Sequence, residues 1–160
     1  MSINLSDPVR VFLSSVAEAR IEARRLRFKR QRLEAAATRV TANITGMPGG
    51  GGDRERLLVQ LADLQDDCER ARLQAEHQEE RVASFINMLQ DPVSRVILKL
   101  RYCECLPWLL ADRPKRTVQG EMAKVGYVYE KSQLYRLHGK ALNEARELFK
   151  EINNDQRTDS

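Results

Sequence analysis

Two long stretches of the chain place apolar residues at alternating intervals of three and four. In the first, Val9, Phe12, Val16, Ala19, Ala23, Leu26, Leu33, Ala37, Val40 and Ile44 keep the spacing, with Arg30 inside the series. In the second, Leu57, Leu61, Leu64, Cys68, Ala71, Ala75, Val82, Phe85 and Leu89 keep it around Gln78. Sustained 3,4 spacing is the seam of a coiled coil. Between the two lies "NITGMPGGGGDRE", where Pro48 lacks a donor and four consecutive glycines leave the backbone nearly free. The pattern predicts an antiparallel helical hairpin over residues 5–90, with a Gly-rich turn at 45–53 and Asp53 capping the second arm. Seam residues then pair as Val40 with Leu61 and Leu33 with Cys68, while Arg30 and Gln78 set the register at some cost in stability.

From residue 91 the pattern shortens. Asp91-Pro92 is a helix start signal, and Val93, Val96, Ile97, Leu100 and Cys103 share one helical face. Thr117 to Val125 reads as a short helix with Thr117 as cap, Val118, Met122 and Val125 inward and Gly126 at the exit. The run Ser132 to Ala145 reads as a longer helix whose buried stripe is Leu134, Leu137, Ala141, Leu142, Ala145 and Leu148, leaving Lys131, Gln133, Arg136 and Lys140 outside it. Helix, short helix, turn, longer helix is the helix-turn-helix order. The expected fold is therefore all-α: the hairpin, a helix-turn-helix over 91–150 and a flexible tail at 151–160.

"SRVILKLRY", "GEMAKVGY" and "LYRLHGKAL" resemble the promoter-reading C-terminal domain of sigma factors, and more closely the ArpU- and RinA-type late transcription regulators of phages. The resemblance implies that Lys131, Ser132, Gln133, Tyr135 and Arg136 read the promoter element, on a helix entering the major groove as far as Lys140. Two departures stand out. The segment between Leu106 and Glu121 is longer and carries the basic "RPKR", in which Arg113, Lys115 and Arg116 are plausible phosphate contacts. The turn before Leu134 is also longer, with Val128 where the family usually has a capping Ser or Thr.

Charge adds weight to one end. The net charge is +4; residues 91–150 hold 12 Lys or Arg against 7 Asp or Glu, whereas residues 1–90 hold 14 against 13. The surplus lies in the segment already read as DNA-binding. Arg20, Arg24, Arg25, Arg27, Lys29, Arg30 and Arg32 crowd the first arm, and acids crowd the second, including Asp63, Asp66, Asp67, Glu69, Glu76, Glu79 and Glu80. Complementary charge favours antiparallel pairing within the chain; the sharper reading is that the arginines grip phosphates. A homodimer in which arms of two chains pair is the competing arrangement.

Catalytic constellations are scarce, and an enzyme is not expected. Cys103 and Cys105 lack zinc-site spacing, and the glycine run has neither a preceding strand nor a Gly-Lys-Ser/Thr ending, so no metal site or cofactor is implied. His138 is most simply a polar side chain at the edge of the helical core or near a phosphate. Trp108 is expected as a core plug, and of Tyr127 and Tyr129 one packs and the other donates to a phosphate. Three cysteines, an odd number, and the lack of a long apolar run point to a cytoplasmic chain with no membrane partner. The expected function is sequence-specific binding of double-stranded DNA by a phage or prophage transcription regulator, with host RNA polymerase as a further partner. The alternatives are a protein-binding modulator of host RNA polymerase or sigma factor, and a small DNA-packaging subunit.

Overall fold

The computed structural model describes residues 7–43, 51–109 and 116–158. Among them there are five α-helices and no strand: α1 Pro8–Asn43, α2 Gly51–Asn87, α3 Pro92–Leu98, α4 Val118–Lys124 and α5 Lys131–Thr158. A π-helical turn, Lys99–Cys103, continues α3. The chain divides into two compact units, one comprising residues 18–77 and the other residues 1–17 with 78–160.

The second of these units holds the main core. Two helices in it start with the same three residues, Asp-Pro-Val. Asp7 Oδ1 accepts from Val9 N at 3.2 Å, and Asp91 Oδ1 accepts from Val93 N at 3.0 Å. Each carboxylate thus satisfies an amide that the helix cannot, while proline occupies the first helical position, where no donor is needed. Ile97, Leu98, Met122, Leu134 and Leu142 are fully buried together with Leu13, Val16, Val82 and Ile86. The rings of Phe12, Phe85 and Phe149 meet pairwise with centroids 5.3 to 5.9 Å apart. The compact division therefore does not fall at 90/91, as the sequence pattern suggests. Val9 to Val16 and Val82 to Leu89 keep their 3,4 spacing and pack on one another, and they also share one core with residues of α3, α4 and α5.

Polar contacts tie the same unit. Arg146 donates to Asp7 Oδ2 from Nη2 at 2.7 Å and from Nε at 3.0 Å. Glu144 Oε1 accepts from the amides of Gln90 and Asp91 at 2.9 and 3.1 Å, fastening α5 to the link before α3. Gln78 is buried and donates to Ser15 Oγ at 2.6 Å. The polar interruption of the seam has a matched partner.

Two expectations about ends are corrected. Residues 151–158, expected as flexible tail, continue α5: Ile152 packs against the core, and Thr158 Oγ1 donates to the carbonyl of Asn154 at 3.0 Å. α2 begins at Gly51, so Asp53 sits inside its first turn, where a negative charge favours the helix dipole, instead of capping it. Most of the Gly-rich turn lies outside the described residues.

In the unit of residues 18–77, the seam positions of both arms, from Ala19 to Val40 and from Leu57 to Ala75, are half-buried, with Leu64 and Ala75 buried. One groove is lined by Arg20 to Arg30 and Gln65 to Arg72, the other by Lys29 to Ala36 and Gln60 to Asp67. Between the two grooves, the lining residues rise in number along one arm and fall along the other. Leu33 shares its groove with Leu64, and Arg30 with Cys68, about one turn from the register expected. A glycine-rich connection does not dictate how many residues it consumes, so the sequence pattern leaves that turn open. The arms' ion pairs Arg25–Glu22, Arg30–Glu34, Arg70–Asp67 and Arg72 with Glu69 and Glu76 each lie within one helix.

Candidate nucleic-acid interface

The site is organised by how α4 stops and α5 starts. Thr117 Oγ1 accepts from Gly120 N at 3.0 Å and caps α4. Val118 N and Gln119 N reach the carbonyls of Pro107 and Trp108 at 2.9 and 3.2 Å, which fixes the approach to α4. At its end, Tyr127 N donates to Met122 O at 2.9 Å and Gly126 N to Ala123 O at 3.1 Å, with Gly126 at φ +95°. This is the Schellman arrangement, which needs a left-handed residue just past the cap. Val125, expected inward, is that cap and is 63% exposed; it has left the helix before it can face the core.

The turn is held from both sides. Gln119 Nε2 donates to Tyr129 O at 2.9 Å, and the Tyr127 and Tyr129 rings stack with centroids 6.3 Å apart. Both tyrosines are half-buried. At the start of α5, Gln133 Oε1 accepts from Glu130 N at 2.9 Å, one half of a capping box. The missing Ser or Thr at Val128 is thus replaced by a cap from inside the helix.

α5 buries Leu134, Ala141, Leu142 and Ala145 and half-buries Leu137 and Leu148, in the expected stripe. Lys131, Ser132, Gln133, Tyr135, Arg136 and Lys140 are all exposed. They are not equivalent. Gln133 gives its acceptor to the cap. Lys131 Nζ stands 5.8 Å from the centroid of the Tyr135 ring, a cation over an aromatic face. Lys140 lies 3.8 Å from Asp91 Oδ2. Arg136 makes no ion pair with any described residue.

Of the basic run, Arg116 alone is among the described residues. Arg113 and Lys115 lie outside the described residues. Arg116 is held between Glu121 (Nε to Oε1, 3.3 Å) and Glu104 (Nη2 to Oε1, 3.1 Å). These hydrogen bonds hold its guanidinium above the usual range and its charge against two carboxylates. Glu121 also takes Lys124 at 2.8 Å.

Behind the exposed face lies a cluster that sequence reasoning missed. The Tyr102 hydroxyl is 2.9 Å from His138 Nε2, with the two rings stacked. Trp108 packs edge-on against His138 at 4.8 Å and against Tyr135 at 5.5 Å, and Arg101 stands 5.1 Å over the indole. Burial, with the guanidiniums of Arg10, Arg101 and Arg146 nearby, pushes the His138 imidazole down to about 4. Burial likewise pushes the Tyr102 hydroxyl up. Both stay neutral near pH 7. Trp108 is therefore half-buried against α5 and backs Tyr135. No spacing signal links Tyr102 and Trp108 to α5; the aromatic content of the long loop was the available hint.

Among the described residues no helix is long and apolar enough to cross a membrane. Compared with protein-family models, curated proteins and solved structures, the chain matches none.

Proposed function

We propose that this chain is a sequence-reading, double-stranded-DNA-binding transcription regulator of phage or prophage type, working in the cytoplasm through a helix-turn-helix formed by α4 and α5. In this reading the arms form a helical hairpin that docks on a partner, host RNA polymerase among the candidates. The observation that carries the proposal is the exposed set Lys131, Ser132, Tyr135 and Arg136 in the first two turns of α5, opposite a stripe buried on the core. A helix held on one face and offering donors at its N-terminal end on the other is what major-groove reading requires. The capped, glycine-terminated turn before it supports the reading by fixing where α5 begins.

Arg136 is assigned to base edges, since no described residue pairs with its charge. Lys131 and Lys140 are assigned to phosphates. Arg116 is a weaker phosphate candidate, because Glu104 and Glu121 must first release it. The test is selection of bound duplexes from a random library by the full chain. A recurring sequence motif that disappears with Arg136→Ala supports the reading. Uniform recovery of all sequences, or none, counts against it and favours a protein-binding modulator, whose contact would draw on the exposed Val125 and Val128.

A further inference from the structure

Tyr135 is 42% exposed on α5, yet its ring is held from two sides. Trp108 meets it at a right angle with centroids 5.5 Å apart, and Lys131 Nζ stands 5.8 Å from the ring centroid. The Tyr135 hydroxyl has no hydrogen-bond partner among the described residues. Trp108, the one tryptophan of the chain, is itself fastened. It packs edge-on against His138 at 4.8 Å, Arg101 stands 5.1 Å over the indole, and its carbonyl accepts from Gln119 N at 3.2 Å. An indole fixed by α5, the π-helical turn and α4 thus braces a tyrosine whose polar end is open.

Helix geometry separates Tyr135 from its neighbours. At about 100° per residue, Ser132 and Arg136 each stand about 200° from buried Leu134, on the side opposite the core, whereas Tyr135 is a quarter turn from Leu134. Lys131 lies on the same flank, one turn earlier. With α5 in a major groove, positions opposite the core face base edges and a flank faces the strand at the groove wall. That flank offers a neutral donor beside a cation, and phosphate oxygens accept from both. Packing accounts for Trp108 against His138. Its further contact, with a side chain that stays largely in solvent, adds little to the core, but it removes rotamer freedom that Tyr135 would otherwise lose on binding.

We propose that the Tyr135 hydroxyl donates to a backbone phosphate of duplex DNA beside Lys131, and that Trp108 is the positioning residue that holds Tyr135 ready for it. The inference rests on the DNA-binding reading. It gives Tyr135 a ligand of its own and gives a residue of the long loop a part in binding, through Tyr135 and without touching the DNA.

Fluorescence anisotropy of the full chain with a labelled mixed-sequence duplex, over a salt series, tests it. Tyr135→Phe keeps the ring and its bracing and removes only the hydroxyl. It is expected to weaken binding about tenfold, as loss of a hydrogen bond to a charged group does, with the salt slope unchanged because no cation is lost. Trp108→Leu is expected to weaken binding about two- to tenfold, again at unchanged slope and with helicity by circular dichroism retained. In a Tyr135→Leu background Trp108→Leu is expected to have no further effect, since nothing is left for it to position. Should Trp108→Leu lose helicity, Trp108→Met takes its place with the same expected pattern. Wild-type affinity in Tyr135→Phe overturns the phosphate contact. Full additivity of the Trp108 and Tyr135 substitutions overturns the positioning role, and either result leaves the DNA-binding reading standing. A wild type that binds no duplex overturns that reading and this inference together.

Discussion

The hydroxyl of Tyr102 and Nε2 of His138 lie 2.9 Å apart beneath Trp108, linking the π-helical turn to α5. The imidazole is held neutral, with its folded value near 4 against an ordinary 6.5. A protonated His138 would lose its acceptor and face Arg10, Arg101 and Arg146. The unfolded chain therefore binds more protons than the folded one between those values, and stability falls as pH drops through that window. The expected loss is on the order of 2–3 kcal/mol between about pH 7 and about pH 4.5. Urea unfolding of wild type and His138→Gln checks it: the variant's midpoint should change far less over the same range. Asp7, whose carboxyl is held below its usual value by Arg146, gives up its contribution only under more acid conditions.

Phe85 is 7% exposed and meets both Phe12 and Phe149 edge-on. Phe85→Ala is expected to destabilise the fold by about 3–5 kcal/mol, the usual result of emptying a buried aromatic site. The same packing predicts that a fragment of residues 91–160 does not fold, since it loses Val9, Leu13, Val16, Val82, Phe85, Ile86 and Leu89 from its core. Dispersed amide resonances from that fragment would contradict the shared core.

Gly126 and Cys105 both hold positive φ, +95° and +57°. Only glycine does so without strain, so the two positions should respond in opposite ways. Gly126→Ala is expected to destabilise and Cys105→Gly to stabilise, each by about 1 kcal/mol. Thermal unfolding of the two variants tests the pair, and a shift in the same direction would argue against the turn geometry described.

Arg136 and Arg116 separate the exposed helix from the basic loop. If α5 reads the groove, Arg136→Ala weakens duplex binding by about 1–3 kcal/mol and blurs sequence preference, whereas Lys131→Ala weakens all sequences and lowers the salt slope by about one. Arg116→Ala should change affinity little, because two carboxylates already hold that charge. Fluorescence anisotropy over a salt series measures all three, and equal effects of Arg116 and Arg136 would undo the distinction.

Much of this arrangement was legible in the residues. The stripe from Leu134 to Leu148, the caps at Thr117 and Asp91, the exit at Gly126 and both seams follow from spacing and local hydrogen-bond chemistry. What was not legible is what each seam meets. Nothing in the 3,4 pattern changes at residue 17 or 78, yet from there the two seams, still in contact at Phe12–Phe85 and Ser15–Gln78, also share a core with the C-terminal helices. The Tyr102–Trp108–His138 cluster joins residues far apart in sequence, with no periodicity to announce it. Arg116 illustrates the limit for charges: a basic run suggests phosphate, but Glu104 and Glu121 reach it only in the folded chain. Residues 151–158 look like a frayed tail because only Ile152 gives them an apolar contact.

The most direct measurement is a genome-wide recovery of DNA bound by the tagged full chain in cells, wild type beside Lys131→Ala/Arg136→Ala. The account predicts discrete sites for the wild type that vanish in the variant while its fold persists. No enriched DNA for the wild type, with RNA polymerase or another protein recovered in its place, would contradict it.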